Sequence, residues 1–577
     1  MADWLRSEAL RATLDRLNPV WITEVSRFTP EIRLAPLSEE ARELSGLAAT
    51  VGRVFTYDVL AAASTHDDES LASALDELWQ RHIIREHRAG EYDFSHDKLR
   101  EAAYAELSPA RRRLLHQHVA TALEAVYADD FDAFSGQLAA HYEQAGKPVR
   151  AVQYYYRAGQ LAKDVYANRE AIRLFQKAVA LLEEMPESCS RDKMELDLQT
   201  DLGASLVTLK GYGASEVINV YDRALVLCKH LDQPTDPPIL RALALGHLVR
   251  GDLQRARELG EEILRLARAE DDPVLLVEGH YVLGVTFFWM GHFESSRRHL
   301  EEAIRRYDPQ QHGVHVTLYA QDPKVICLSR LGRTLWHLGY PDQASGRAEE
   351  SLSLARTLGH PVSRAYALVN TAQLYIDLGD MQKVRECVDE LRPLTNQQEM
   401  AWWECYGHNV EGLLQVELGD YDAGIRRIRE EIAVYVETGN VLLVPEFQGY
   451  LAQAYIKMGA ADDALAALEE GLALGTNIGV RFYDAELLRL EGEVLLEKGA
   501  VIEAEALFRR SLETARRQGA RSLMLRAAMQ LGRLAGRNGN AGAKEGRRLL
   551  QEVYSEFTEG FDTPDLREAR AMLEAGL

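Results

Sequence analysis

Four side chains near the middle of the chain have the types and the closeness for metal chemistry: Asp308, His312, His315 and Asp322. Imidazole nitrogens and carboxylate oxygens are the usual ligands of zinc and its neighbours. The spacing is loose and no Cys or Glu completes a set, so the segment reads as a polar loop and no metal is implied. Arg111, Arg112 and Arg113 could gather an anion or form a solvated helix face. A phosphate-cradling loop of the form Gly-x-x-x-x-Gly-Lys-[Ser/Thr] is absent; the nearest candidate, Gly146-Lys147-Pro148, lacks the upstream Gly and the hydroxyl. The five cysteines (Cys189, Cys228, Cys327, Cys387, Cys405) form no Cys-x-x-Cys pair and read as buried thiols in a reducing compartment. No nucleophile stands in order with a base, so the expectation is a non-enzymatic chain without a cofactor.

What must position any site is a ladder of turns. Gly251-Asp252 opens a helix with Ala256 near its start, and similar turns follow at Gly291, Gly339, Gly379, Gly419, Gly459, Gly499 and Gly539, with a weaker copy at Gly211. The steps from Gly251 onward are 40, 48, 40, 40, 40, 40 and 40 residues. A period this regular means one supersecondary unit stacked many times. Small residues precede the turns (Gly284, Gly332, Ala372, Gly412, Ala452, Gly492), aromatics stand at Phe287, Tyr375 and Tyr455, and Ala344, Ala464 and Ala504 follow. Two helices cross closely only where Gly or Ala leaves room. The pattern resembles the tetratricopeptide repeat, at a longer period than the usual length of about 34. The expected fold is all-α: a right-handed tetratricopeptide-like α-solenoid with a concave groove lined by the first helix of each pair.

Phase names the groove. Positions three, six, ten and thirteen before each turn glycine give Tyr281, Phe288, Arg333, Trp336, Tyr366, Gln373, Tyr406, Asn409, Gln453, Glu486, Arg489, Glu493, Arg526 and Arg533. Aromatic and hydrogen-bonding groups together suit a protein, a peptide or a small-molecule effector. Trp336 and Tyr366 could equally pack between repeats. The one irregular step inserts eight residues within Tyr307–Pro323. Insertions in repeat proteins commonly form loops on the binding face. His312, His315, Tyr319 and Asp322 are therefore expected on a recognition loop.

Apolar residues make up 46% and charged residues 27%, which marks a folded chain. The net charge of −23 argues against nucleic acid as the main partner. No apolar run is long enough to span a membrane and Met1-Ala2-Asp3-Trp4 does not begin a signal peptide, so a cytoplasmic location is expected. Residues 1–34 hold an amphipathic helix with Trp4, Leu5, Leu10, Leu14 and Leu17. Over 35–105 three helices and a hairpin (Ile83–Glu86, Tyr92–Phe94) make a winged-helix-like domain, whose acidic third helix speaks against DNA reading. A helical arm over 106–145, irregular hairpins over 146–238, the repeat array over 239–556 and a capping helix over 557–577 complete the expected organisation.

Several stretches resemble the sensor portion of bacterial STAND ATPases, multidomain signal-transduction NTPases joined to adenylate cyclase, kinase or transcription-activator domains. They are Phe94-Ser95-His96-Asp97, Leu107-Ser108 with Arg112 and His116, Leu138–Tyr142, Tyr319–Pro323, Leu358–Pro361, Ala485–Glu493 and Phe557–Leu566. The resemblance implies a repeat array acting as a sensor, and a winged-helix histidine, here His96, touching the phosphate of ADP bound by a nucleotide-binding domain. With no phosphate-binding loop in this chain, the chain is expected to begin just after where that domain would end. His96 then reads as a core residue of the small domain unless an ATPase domain is supplied, when it becomes a nucleotide-sensing residue.

Overall fold

The computed structural model describes residues 30–575 apart from 89, 129–130, 320, 399 and 538–539. The helix expected around Trp4–Leu17 and the turn at Gly539 lie outside the described residues. The chain divides into two compact units, Met1–Arg191 and Asp192–Leu577.

In the first unit, Ser38 caps the helix Glu39–Val51 by accepting from the Ala41 amide, and Asp67 caps Asp68–Gln80 by accepting from Ser70. Tyr57–Ala63 lies between them. The hairpin falls where the alternating residues place it, as β2 (Ile84–Arg88) and β3 (Glu91–Phe94). A third short strand, β1 (Val54–Thr56), pairs antiparallel with β3, giving the order β1-β3-β2. Leu44, Leu60, Leu71, Leu78, Ile84 and Phe94 share one core. Five further α-helices follow, Asp97–Ala105, Pro109–Val126, Ser135–Gln144, Pro148–Asp164 and Asn168–Glu183.

The second unit is an all-α tetratricopeptide-like solenoid, running as helical hairpins from Cys189–Lys210 to the closing helix Pro564–Ala575. Prolines open many helices (Pro237, Pro273, Pro341, Pro361), where a missing amide costs nothing. The described turn glycines from Gly251 to Gly499 hold φ between +75° and +89°, a backbone that stops a helix cheaply only at glycine. The small residues before them serve the helix crossing. A Cβ at Gly284 would stand 2.6 Å from Leu300, and one at Gly412 would stand 2.9 Å from the Gly424 carbonyl oxygen.

A second set of glycines, Gly359, Gly439, Gly479 and Gly519, ends the second helix of the pairs at φ +68° to +76°. Three of the turns they make touch the first ladder one superhelical turn earlier. The Val441 amide donates to the Val249 carbonyl at 2.9 Å and the Arg481 amide to the Trp289 carbonyl at 2.9 Å. Arg521 Nη1 donates to the Leu338 carbonyl at 2.8 Å. The sequence offsets are 192, 192 and 183 residues, so the superhelix returns upon itself in a little under five repeats.

This closure turns the expected open groove into an interior. The helix Pro323–His337 is buried at every residue except Lys324, an all-round burial that an amphipathic surface helix never has. It packs on Pro273–Trp289, Phe293–Arg306, Pro341–Leu358 and Pro361–Leu378, and also on Arg521–Arg537 from the later turn. No helix among the described residues is long and apolar enough to cross a membrane.

Candidate functional site

The expected recognition loop is instead a short 3-10 turn, Pro309–Gln311, and a helix, His312–Tyr319. His315 is 1% exposed and Tyr319 5%. Both complete a buried cluster around Arg241. Arg241 Nε donates to Glu278 at 2.6 Å, Nη1 donates to Tyr212 Oη at 2.8 Å and to the Tyr319 carbonyl at 3.0 Å, and Nη2 donates to Gln321 Oε1 at 3.1 Å. His315 Nδ1 meets the other oxygen of Glu278 at 2.7 Å. A buried arginine fixed on all its nitrogens requires such a shell, and the inserted helix supplies part of it. Asp322 is committed as well: it accepts from the Val325 amide at 2.9 Å as an N-cap and from Tyr307 Oη at 2.6 Å. Asp308 accepts from the Gln310 amide at 2.9 Å. These carboxylates and His315 therefore hold the insertion in place, and among the described residues no three His, Cys, Asp or Glu converge as metal ligands. His312 begins the inserted helix.

A second cluster surrounds Arg333, which is wholly buried. Its Nη2 donates to Glu446 Oε1 at 2.6 Å and lies 3.5 Å from Asp377 Oδ2. Tyr450 Oη donates to the same Glu446 oxygen at 2.9 Å, and Gln373 Nε2 donates to the other at 2.9 Å. Burial pushes the Asp377 carboxyl up to about 7, against the pull of Arg333. Phe288 lies under Arg330 and Arg333, with ring centroids 4.5 and 5.4 Å from the two guanidiniums. His337 stacks on Phe293 at 4.2 Å, and burial first, with Arg333 adding to it, drives its imidazole well below the ordinary range.

Two hollows border these clusters. The first encloses about 830 Å³, mouth included, between Pro237–Val249, Pro273–Trp289, Pro361–Leu378 and the Asn440–Leu443 turn. Its wall is mostly apolar (Leu245, Leu248, Val285, Trp289, Val369, Leu442), with Tyr281, Tyr366, Gln373 and Arg330 among the polar members. The second is about 980 Å³ with its mouth included and is walled by charge. Arg489 pairs with Glu486 at 2.8 Å and Glu493 at 2.5 Å, Arg526 pairs with Asp565 at 2.7 Å, and Arg533 pairs with Glu568. Burial alone would raise the Glu486 carboxyl, but Arg489 and Arg526 outweigh it and hold it at about 2.

The residues named by phase are thus sorted by the closure. Tyr281, Tyr366 and Gln373 meet at the first hollow; Gln453, Glu486, Arg489, Glu493, Arg526 and Arg533 meet at the second. Phe288, Arg333, Tyr406 and Asn409 are packed in the interior away from both. Trp336 is 3% exposed, lies under Arg526 at 5.0 Å, and its carbonyl accepts from Ser522 Oγ at 2.5 Å, so it packs between superhelical turns. His96 corrects another expectation. It is exposed at the N-cap of Asp97–Ala105, where it makes no capping bond, and Phe94 and Leu99 on either side take the core positions.

Sequence reasoning passed over Arg241, Glu278, Arg330 and Glu446. Their signal was present for three: Arg241, Glu278 and Glu446 are charges isolated in apolar helical stretches, as in Val274-Leu275-Leu276-Val277-Glu278 or Val444-Pro445-Glu446-Phe447, and they stand ten before Gly251, thirteen before Gly291 and thirteen before Gly459. A charge in a helix with no polar face has nowhere to go but a buried partner.

No protein-family model matches the sequence. The chain is 22% identical over 508 residues to an uncharacterized protein of Rhizobium meliloti (strain 1021), a match covering 86% of this chain and 49% of the relative. The chain thus spans about half the length of the curated relative it matches. Among solved structures it is similar to a Rap protein complexed with competence and sporulation factor (14% identity, TM-score 0.46, covering 64% of this chain and 98% of that one). It is also similar to a STAND protein with a tetratricopeptide repeat sensor from Pyrococcus horikoshii (12%, TM-score 0.36, covering 83% and 63%). A third similarity is to yeast Tom70 (14%, TM-score 0.31, covering 80% and 92%). The architecture stands on the helical repeats themselves.

Proposed function

We propose that this chain is a non-catalytic sensor and scaffold module of a signal-transduction regulator. The solenoid takes a protein segment, peptide or small effector into its interior and passes the change in packing to an effector domain. One observation carries the reading: the apolar hollow at the inner face, walled by helices from several repeats and by the turn that closes the superhelix. Concave, mostly apolar spaces with a few convergent polar groups are where ligands bind. Occupancy would couple repeats far apart in sequence, which is what a sensor needs. The small domain of the first unit has the element order of a winged helix, and exposed His96 is free to reach a phosphate if a nucleotide-binding domain is supplied.

The test is a cavity-filling variant. Val369 is 4% exposed and lines the hollow. Small molecules retained by the purified chain are released by denaturation, identified by mass spectrometry and returned in a titration. Val369→Phe is expected to weaken their binding by about tenfold or more while leaving the protein folded. Unchanged affinity in the folded variant would sink the reading.

A further inference from the structure

We infer that the apolar hollow is a receptor for a small apolar monoanion, a carboxylate on a hydrocarbon body, with Arg330 as its counter-charge. The inference rests on the reading of this hollow as the sensor's chamber and adds the chemical class of its ligand.

Among the described residues, five arginines lie within the solenoid's interior, and four hold carboxylates of the chain. Arg241 holds Glu278 at 2.6 Å, Arg333 holds Glu446 at 2.6 Å, Arg489 holds Glu486 at 2.8 Å and Arg526 holds Asp565 at 2.7 Å. Arg330 is the exception. It is 4% exposed, lines the hollow, and has no ion pair among the described residues. Its Nη2 donates to Tyr366 Oη at 3.0 Å, while Nε and Nη1 have no hydrogen-bond partner. Neighbouring carboxylates cannot serve it. Both oxygens of Glu446 are taken by Arg333, Tyr450 and Gln373, and Asp377 lies against Arg333.

The ring faces of Phe288 and Trp289, 4.5 and 4.8 Å from the Arg330 guanidinium, offset part of the cost of burying it. They do not satisfy two N–H donors, and buried charges are as a rule paired. The chamber's chemistry then selects its ligand. An amine would be repelled by Arg330. A neutral apolar body would leave the guanidinium as it is. A polyanion would bring more charge than one arginine neutralises. A single carboxylate on an apolar body supplies the missing counter-charge and covers the walls of Leu245, Val285 and Leu442. Asn370 and Asn440, whose Oδ1 atoms are unpartnered, also line the hollow.

Calorimetric titration of the full chain at neutral pH with octanoate, octanol and octylamine decides the matter. Octanoate is expected to bind about tenfold or more tightly than octanol, and octylamine not at all. Arg330→Met keeps the bulk and removes the charge. It is expected to erase the preference for the acid and, by removing an unpaired buried charge, not to lower the melting temperature of the ligand-free protein. A merely structural arginine predicts the opposite on both readouts. If Arg330→Met does not fold, Asn370→Asp asks the same question by setting a carboxylate on the wall, and should weaken octanoate while sparing octanol. Octanoate binding no tighter than octanol, or within about threefold of wild type in Arg330→Met, overturns the inference. So does a wild-type chain that binds none of the three probes. In that case the chamber itself still stands or falls by the Val369→Phe titration of retained molecules.

Discussion

Arg333 shares its charge between two carboxylates that are not equivalent. Glu446 receives three hydrogen-bond donors, from Arg333, Tyr450 and Gln373. Asp377 has only a long contact of 3.5 Å with Arg333, and Glu446 and Glu486 oppose its ionisation while Arg526 favours it. Burial is the largest influence and raises its carboxyl to about 7, from an ordinary value of 3.8. The folded protein then keeps this proton up to about pH 7, whereas the unfolded chain releases it near pH 4. Stability from this group is therefore full below about pH 4 and is lost as pH rises to about 7. Asp377→Asn fixes the neutral form. Its urea midpoint should match wild type near pH 4, exceed it increasingly up to pH 7, and stay ahead by a constant amount above that. The gain is a few kcal/mol, at most about 4. A difference that does not vary with pH would show that Asp377 ionises freely in the fold. Repeat phase was enough to put Arg333 and Gln373 on the inner face. Glu446, thirteen before Gly459, shares that phase, but its meeting with Arg333 across 113 residues comes from the pitch of the superhelix, which phase does not give.

The two glycine ladders differ in what surrounds them, although both take the left-handed backbone. Gly459, at φ +82°, has open space where a Cβ would stand. Gly439, at φ +76°, would set a Cβ 2.9 Å from the Gly213 carbonyl oxygen, backbone against backbone. Gly459→Ala should therefore cost about 1 kcal/mol, the price of the conformation alone. Gly439→Ala should cost roughly 2–3 kcal/mol, because neither turn can yield without parting the superhelical turns. Urea unfolding of the two variants measures the difference, and equal losses would mean that the turns are not in close contact. The first ladder was legible because Gly, in most copies a polar or acidic residue, and in most a small residue five positions on recur together, at 40-residue steps but for one of 48. The second was overlooked because only the glycine recurs: Asn440-Val441, Val480-Arg481 and Ala520-Arg521 follow it. The inserted helix was illegible for a related reason. His312–Tyr319 is too short to show a helical period, and its burial depends on Arg241, which lies 78 residues from Tyr319.

A solenoid whose repeats touch only their neighbours unfolds piecemeal, and a lesion in one hairpin is felt by the next. Sequence period establishes that stack but not its pitch, which comes from a small rotation per repeat that no single residue encodes. The pitch here brings Arg521–Arg537 against Pro323–His337, and that contact changes the expected cooperativity. Arg521 Nη1 donates to the Leu338 carbonyl at 2.8 Å and Ser522 Oγ to the Trp336 carbonyl at 2.5 Å, across 183 and 186 residues. Removing both with Arg521→Ala and Ser522→Ala forfeits about 2 kcal/mol at two net hydrogen bonds. In an open superhelix, amide exchange would quicken only within Arg521–Arg537 and the helices beside it, Val501–Gln518 and Asn540–Tyr554. In the closed one it should also quicken over Pro323–Gly339, by up to roughly thirtyfold if opening of the two elements is shared. Ala401–Glu417, which touches neither side chain, should keep its wild-type protection. Exchange read by mass spectrometry on the intact chain separates the cases. Faster exchange confined to the C-terminal hairpins would mean that the turns rest on one another without energetic coupling, and the interior could then open as a groove. Quickening at Pro323–Gly339 would show that the helix carrying Arg330 and Arg333 is held by both superhelical turns at once. A ligand seated beside that helix would then bias the packing of the whole array.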